Sequence, residues 1–134
     1  MEKVLIDTSV WIPFFRGRDK SIVEAVSKLL TAGRVVITGI VITELLQGAS
    51  EEKELEKILR LLEPVERIDL VSSDWEKGGR LSYRLRRRGA TPSTLDILLA
   101  TLAIENDCLF YTADKHFELV AKHSDLRLYP ASED

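Results

Sequence analysis

Four carboxylates in this 134-residue chain lie where apolar residues would be expected. Asp7 ends the apolar run Val4-Leu5-Ile6 and is followed by two hydroxyls, Thr8 and Ser9. Glu44 interrupts Ile40-Val41-Ile42-Thr43-Glu44-Leu45-Leu46, a segment with almost no polar face. Asp96 opens the most apolar stretch of the chain, and Asp114 comes two residues after Leu109-Phe110-Tyr111-Thr112. Most other acids fall in solvated segments such as Glu51-Glu52-Lys53-Glu54. A lone buried carboxylate is costly, and several brought together repel one another. A hard divalent cation removes that conflict, because Mg²⁺ and Mn²⁺ prefer carboxylate and water oxygens. An all-oxygen cation site suits phosphoryl chemistry, in which the ion polarises a phosphate oxygen and lowers the pKa of a water.

Each acid also has a structural reading. Asp7 and Asp114 could cap the helices that follow them. Ser93-Thr94-Leu95-Asp96 matches a capping box, with Asp96 reaching back to the Ser93 N–H. Glu44 fits such a role least, since it is mid-helix with apolar neighbours.

The elements that would position these acids follow from periodicity. Lys3 to Asp7, Val35 to Thr38 and Leu109 to Thr112 read as short strands buried on both faces, the kind found in parallel sheets. Val65 to Leu70 alternates and suits a place nearer an edge, and Leu126 to Tyr129 is a weaker fifth strand. Between them lie helical patterns. One follows Thr8 or Ser9 as cap, with Pro13 in about its first turn. Others run from Lys20 to Thr31, stopped by Gly33, and from Ile40 to Gln47, ended by Gly48. The next starts at Ser50 and ends at Pro64. Another runs from Ser72 or Ser73 through Gly78-Gly79 to Arg86-Arg87-Arg88-Gly89. The stretch from Ser93 to Glu105 is apolar almost all round and therefore buried. A short helix holds Phe117 and Val120, and Ala131 to Asp134 reads as a frayed end. Strands alternating with helices predict one domain over residues 1–134: a three-layer α/β/α sandwich around a mostly parallel sheet of about five strands. Ligands of such sheets sit beyond the carboxyl ends of the strands, where Asp7 and Asp114 fall.

Composition narrows the function further. One cysteine, Cys108, excludes an intrachain disulfide and reads as core, which suits a cytoplasmic setting. No secretory signal pattern and no membrane-length apolar run is present. The net charge of −3 looks wrong for a nucleic-acid binder. With four acids committed to a cation, however, 19 Lys and Arg face 18 remaining acids, so a polyanionic substrate is not excluded. No Gly-rich phosphate loop and no zinc-like His/Cys spacing occurs, and His116 and His123 read as isolated, solvated helix residues.

Four segments, in order, resemble the PIN-domain ribonucleases, most closely the VapC-type toxins of toxin–antitoxin modules. They are Leu5-Ile6-Asp7-Thr8-Ser9-Val10-Trp11, Thr43-Glu44-Leu45-Leu46-Gln47-Gly48, Thr94-Leu95-Asp96-Ile97-Leu98-Leu99-Ala100 and Leu109-Phe110-Tyr111-Thr112-Ala113-Asp114-Lys115-His116-Phe117. The resemblance implies an endoribonuclease in which Asp7, Glu44, Asp96 and Asp114 surround Mg²⁺ or Mn²⁺. Asp7 and Asp96 are the first choices as direct ligands, and Thr8 and Thr112 match hydroxyls that orient them. It also implies RNA as substrate, a protein antitoxin that blocks the site, and a homodimer. Many relatives carry a further acid one or two places after the last Asp, where this chain has Lys115 and His116.

Basic residues near the site are expected to meet the substrate. Arg16, Arg18 and Lys20 follow the helix that Asp7 introduces, while Arg84, Arg86, Arg87 and Arg88 suit either a helix C-terminus or phosphate contact. Trp11, Phe14 and Phe15 fit core or dimer packing better than base stacking. The rival readings are a non-catalytic binding module of the same fold, a DNA-directed nuclease, and a phosphohydrolase with Asp7 as nucleophile. The last wants a second Asp where this chain has Ser9.

Overall fold

Residues 1–130 are described by the computed structural model; the expected fraying of Ala131 to Asp134 lies outside the described residues. In chain order the elements are β1 (Val4–Ile6), α1 (Thr8–Arg16), α2 (Lys20–Thr31), β2 (Val35–Ile37), α3 (Gly39–Gln47), α4 (Glu52–Leu62), β3 (Glu66–Arg67), α5 (Asp74–Arg87), α6 (Thr94–Glu105), β4 (Leu109–Tyr111), α7 (His116–Lys122) and β5 (Arg127–Leu128). Every residue of β1 and β2 is buried, which is why those runs carry no polar alternation.

The five strands are all parallel, in the order β3-β2-β1-β4-β5. β1 is central, with Leu5 opposite Val36 on one side and Phe110 on the other. From β1 the chain moves outward through β2 to β3, then crosses back to β4 on the far side of β1. Right-handed crossovers then put α1 to α4 on one face and α5 to α7 on the other. The contacts agree: α1 packs on α2 and α3, α3 on α4, α5 on α6, α6 on β4, and α7 on β5. This is the expected α/β/α sandwich. The winding reverses between β1 and β4, so a crevice opens beyond their carboxyl ends.

Trp11, Phe110, Leu5, Ile6 and Leu102 are among the fully buried core side chains. Phe14 and Phe15 pack on Trp11, with ring centroids 5.6 and 5.7 Å away, so this trio belongs to the core. Cys108 is buried, and burial pushes its thiol pKa up. Among the described residues no helix is long and apolar enough to cross a membrane.

Several boundaries differ from the sequence expectation for physical reasons. α1 starts at Thr8 with Asp7 in the cap position, so Pro13 lies inside the helix rather than in its first turn. Neither Thr8 nor Ser9 caps; both hydroxyls are drawn to carboxylates instead. Glu51, not Ser50, occupies the cap position of α4, while Ser50 bonds Glu54. β3 shrinks to two exposed residues at the sheet edge. The Gly78-Gly79 pair does not break α5. A Cβ on Gly78 would sit 3.4 Å from Ile97, Leu98 and Thr101, so the missing side chain lets α5 and α6 pack closely.

α3 is held at its start by a residue distant in sequence. Thr38 is in the cap position without a capping side-chain bond. The Asp69 carboxylate takes the Gly39 N–H at 2.8 Å, the Thr38 hydroxyl at 3.3 Å and the Arg67 Nε at 2.7 Å. Partial burial works against the charged form, but these bonds and the Arg67 charge outweigh it and hold the Asp69 pKa below its ordinary 3.8. The carboxylate therefore supports the fold above about that pH, and its contribution is lost as pH falls through the depressed folded value. A Cβ at Gly39 would stand 2.8 Å from Arg67 Nη2 and 3.2 Å from Asp69 Oδ1, so a side chain there would push on the clamp itself. Asp69→Ala should cost about 1 kcal/mol, the usual worth of a helix cap. It should also flatten the acid limb of a stability–pH profile measured by urea unfolding from about pH 5 down through and below the unfolded value of 3.8. An unchanged acid limb would show that the clamp carries no charge-dependent stability.

Candidate functional site

β1 delivers Asp7 to the crevice, and its peptide N–H bonds Tyr111 O at 2.9 Å, locking the end of β1 to β4. Although Asp7 stands where a helix cap would, its side chain makes no capping bond. The residue is only 8% exposed, and its carboxylate receives two hydroxyls on one oxygen: Ser9 Oγ donates to Oδ2 at 2.7 Å and Thr112 Oγ1 donates at 2.9 Å. Those hydroxyls lie 3.2 Å apart, and each is fixed from behind. Ser9 Oγ accepts the Ala113 N–H at 3.0 Å, and Thr112 Oγ1 accepts the Asp114 N–H at 3.0 Å.

That chain of bonds reaches Asp114 through its N–H, and a separate bond holds Glu44. Thr8 Oγ1 donates to Glu44 Oε1 at 2.7 Å, joining the first turn of α1 to the middle of α3. Asp114 follows Thr112 directly on the loop after β4, and its Oδ1 accepts the His116 N–H at 2.9 Å with His116 Nδ1 at 3.0 Å. His116 is therefore not isolated, as the sequence suggested, although its side chain is exposed. Lys115, not Asp114, occupies the cap position of α7, and Asp114 holds the first N–H of that helix from one residue before it.

Asp96 sits in the first turn of α6. That helix leads directly into β4 and so begins at the sheet edge where β1 and β4 end. Ser93 Oγ accepts the Asp96 N–H at 3.2 Å, so half of the expected capping box is present. The returning bond from the Ser93 N–H to the Asp96 carboxylate does not form.

Among the described residues, Asp7 Oδ1, Glu44 Oε2, Asp114 Oδ2 and both Asp96 carboxylate oxygens accept no hydrogen bond. None of the four acids pairs with a Lys or Arg there. Hydrogen bonds thus join Asp7 to Asp114 through Ser9 and Thr112, a separate bond joins Glu44 to Thr8, the neighbour of Asp7, and Asp96 begins the helix that leads into β4 without a bond to the others. No three acidic, His or Cys side chains among the described residues stand close enough to form a ready-made cage. The donor chemistry still fits a hard cation. Mg²⁺ keeps several waters and needs only one or two direct carboxylates.

Ser9 escaped the sequence reading, which assigned it to helix capping. Its only signal was a hydroxyl two residues from Asp7. Of the basic candidates, Arg16 lines a groove of about 610 Å³ between α1, α3 and α4 that also includes Ile12, Phe15, Glu44, Leu45 and Lys57. Arg18 and Lys20 line a neighbouring, more open hollow with Arg16. Arg16 is thus the basic candidate that shares a wall with a site acid.

The family model described as PIN domain matches residues 4–123. Ribonuclease VapC1 of Methanocaldococcus jannaschii is 30% identical over 131 residues, covering 95% of this chain and 87% of that protein. VapC ribonuclease Mb1587 of Mycobacterium bovis is 27% identical over 92% of this chain and 96% of its own length. Among solved structures, VapBC2 from Rickettsia felis, bound to a DNA fragment from the promoter, superposes with a TM-score of 0.79 at 22% identity, covering 94% of this chain and 96% of that one. VapBC-1 from nontypeable Haemophilus influenzae gives 0.76 at 24% identity over 96% and 98%. A match across nearly the whole chain, on a sheet whose winding reverses at the acid-bearing strands, places this protein in the PIN domain family.

Proposed function

We propose that this chain is a metal-dependent endoribonuclease, the toxin of a toxin–antitoxin pair, and that Asp7, Glu44, Asp96 and Asp114 hold Mg²⁺ or Mn²⁺. The observation that carries this reading is the Asp7 carboxylate at the winding reversal. One oxygen is fixed by two neutral hydroxyls and the other is left open. No Lys or Arg among the described residues pairs with this carboxylate, so its charge stays available to a cation.

In this reading Asp7 and Asp96 bind the ion directly, while Glu44 and Asp114 complete the shell, some through water. When bound, a divalent cation supplies a water of lowered pKa and offsets charge on the scissile phosphate. Ser9 and Thr112 aim the open oxygen of Asp7, and Thr8 does the same for Glu44. Such orienting partners matter because a ligand free to rotate loses affinity. Arg16, Arg18 and Lys20 draw the RNA backbone toward the crevice. The protein antitoxin, the homodimer and a cytoplasmic setting belong to the same proposal. The similar structures named as VapBC complexes support the antitoxin.

Asp7→Asn or Asp96→Asn should abolish cleavage of a labelled RNA in Mn²⁺ while leaving the thermal midpoint nearly unchanged. Retained cleavage would overturn the assignment, and loss of folding would return these acids to a structural role. Cleavage of single-stranded DNA but not RNA would overturn the substrate.

Ser9→Ala and Thr112→Val should each weaken Mn²⁺ binding about 10- to 100-fold by calorimetry. Wild-type affinity in both variants would show that the hydroxyls do not orient the ligand.

A further inference from the structure

One face of α5 is unlike the rest of the surface. Trp75 and Tyr83 are 58% and 59% exposed, among the most exposed large apolar side chains of the protein. They lie eight residues apart, about 12 Å along the helix. Gly79 lies between them, and a Cβ built there would meet nothing within 4 Å. The spacing continues to Arg87, whose Cζ stands 4.4 Å from the Tyr83 ring centroid while its Nη2 donates to the Tyr83 hydroxyl. Trp75, Gly79, Tyr83 and Arg87 therefore form a ridge of two flat rings and a flat guanidinium with an open step between them.

The charge around this ridge is mainly positive, with Glu76 the exposed acid beside Trp75. Arg80, Arg84, Arg86, Arg87 and Arg88 are all exposed, and none forms an ion pair among the described residues. In a chain of net charge −3, five guanidiniums without an ion pair between Arg80 and Arg88 are a local excess, and Arg80 and Arg84 line a hollow that also holds Glu105 and Asp125. Lys77 is the exception, bonded to Glu105 at 2.6 Å. That contact, with Gly78 against Ile97, Leu98 and Thr101, shows α5 and α6 running antiparallel. Tyr83 and Arg87 then stand at the level of the first turn of α6, which carries Asp96.

An i to i+4 Tyr–Arg pair adds only a few tenths of a kcal/mol to a helix. That role does not account for the exposed Trp75, the open step at Gly79 or the unpaired arginines. Exposed rings interleaved with cationic groups are what single-stranded nucleic acid requires, with stacking for bases and positive charge for phosphates.

We infer that the α5 ridge binds single-stranded RNA beside the cleavage site, Trp75 and Tyr83 stacking on bases while Arg84 and Arg87 contact phosphates. RNA as the occupant rests on the endoribonuclease reading. The ridge is distinct from the Arg16 side of the crevice, so it sets where a strand lies when it crosses Asp96.

The test measures binding separately from cleavage. Full-length protein carrying Asp7→Asn is titrated, in EDTA, into a fluorescein-labelled single-stranded RNA of mixed sequence, read by anisotropy. Tyr83→Ala and Trp75→Ala should each weaken binding at least about fivefold. Tyr83→Phe should retain most of the affinity. Arg84→Gln should lower the slope of log affinity against log salt by about 0.7. Circular dichroism melts confirm that these exposed changes leave the fold intact. Unchanged affinity in both aromatic variants would overturn the inference, as would absence of RNA binding before any ridge substitution. If Trp75→Ala instead dissolves an oligomer on size exclusion and leaves RNA affinity intact, the ridge is a protein contact and the inference fails. If wild-type protein binds RNA through the ridge but cuts none in Mn²⁺, the ridge stands and the nuclease proposal falls. If it cuts RNA with ridge variants binding normally, only the ridge falls.

Discussion

The site depends on how one buried carboxylate is satisfied. Asp7 closes a strand with no exposed residue, so its charge sits at the boundary between the core and water. Two hydroxyls on a single oxygen offset part of the desolvation cost without neutralising the charge. A lysine or arginine there would stabilise the fold more and leave nothing to offer a cation. The same two hydroxyls tie the sheet together where its winding reverses. Thr112 belongs to the strand end beside Asp7, and Ser9 to the helix leaving it. The bonds that hold the strand ends therefore also aim the charge.

The other acids repeat this arrangement with less burial. Glu44 receives one hydroxyl and keeps one oxygen open; Asp114 receives one peptide N–H and keeps one oxygen open. Asp96 receives nothing on its carboxylate, and the cap of its helix is supplied by Ser93. Like charges this near one sheet edge repel. Keeping them short of a closed cage limits that repulsion when no cation is present. The fold thus tolerates the charges of Asp7, Glu44 and Asp114 by fixing one oxygen of each, and leaves the Asp96 carboxylate free at the start of its helix.

Much of this was legible in the sequence because period and burial leave local traces. Val4-Leu5-Ile6 and Val35-Val36-Ile37 could only be strands covered on both sides, and Ser93 to Glu105 could only be a buried helix. The four acids stood out because charge is rare in such settings. What was not legible depends on pairs far apart in the chain. Ser9 and Thr112 are 103 residues apart, and Thr38 and Asp69 are 31 apart. No periodicity reports which hydroxyl turns toward which carboxylate. Thr8 and Ser9 read as caps because capping is their usual local role, and here a nearby buried charge competes for them more strongly. β3 was overestimated for a related reason. Its alternation was real, but an edge position beside β2 alone gave it few partners, and the chain turned at Asp69 to clamp α3 instead.

The Asp69 clamp connects stability to the site through α3. The helix carrying Glu44 begins with a glycine, the poorest ordinary residue for helix stability, and lacks a capping bond from Thr38. Its start is fixed only because Asp69, reaching from beyond β3, bonds Gly39 while Arg67 holds Asp69 in place. Glu44 lies five residues on, in a helix whose buried residues are Val41 and Leu45. A shift of the helix start would therefore move Glu44 relative to Thr8, a bond that tolerates little change at 2.7 Å. An exposed ion pair at the sheet edge, worth little by itself, thereby acquires a consequence for the crevice two strands away. A better helix former at this position would push Arg67 Nη2 and Asp69 Oδ1 aside and so loosen the clamp. The weak helix start and its distant clamp are therefore coupled through the same two side chains.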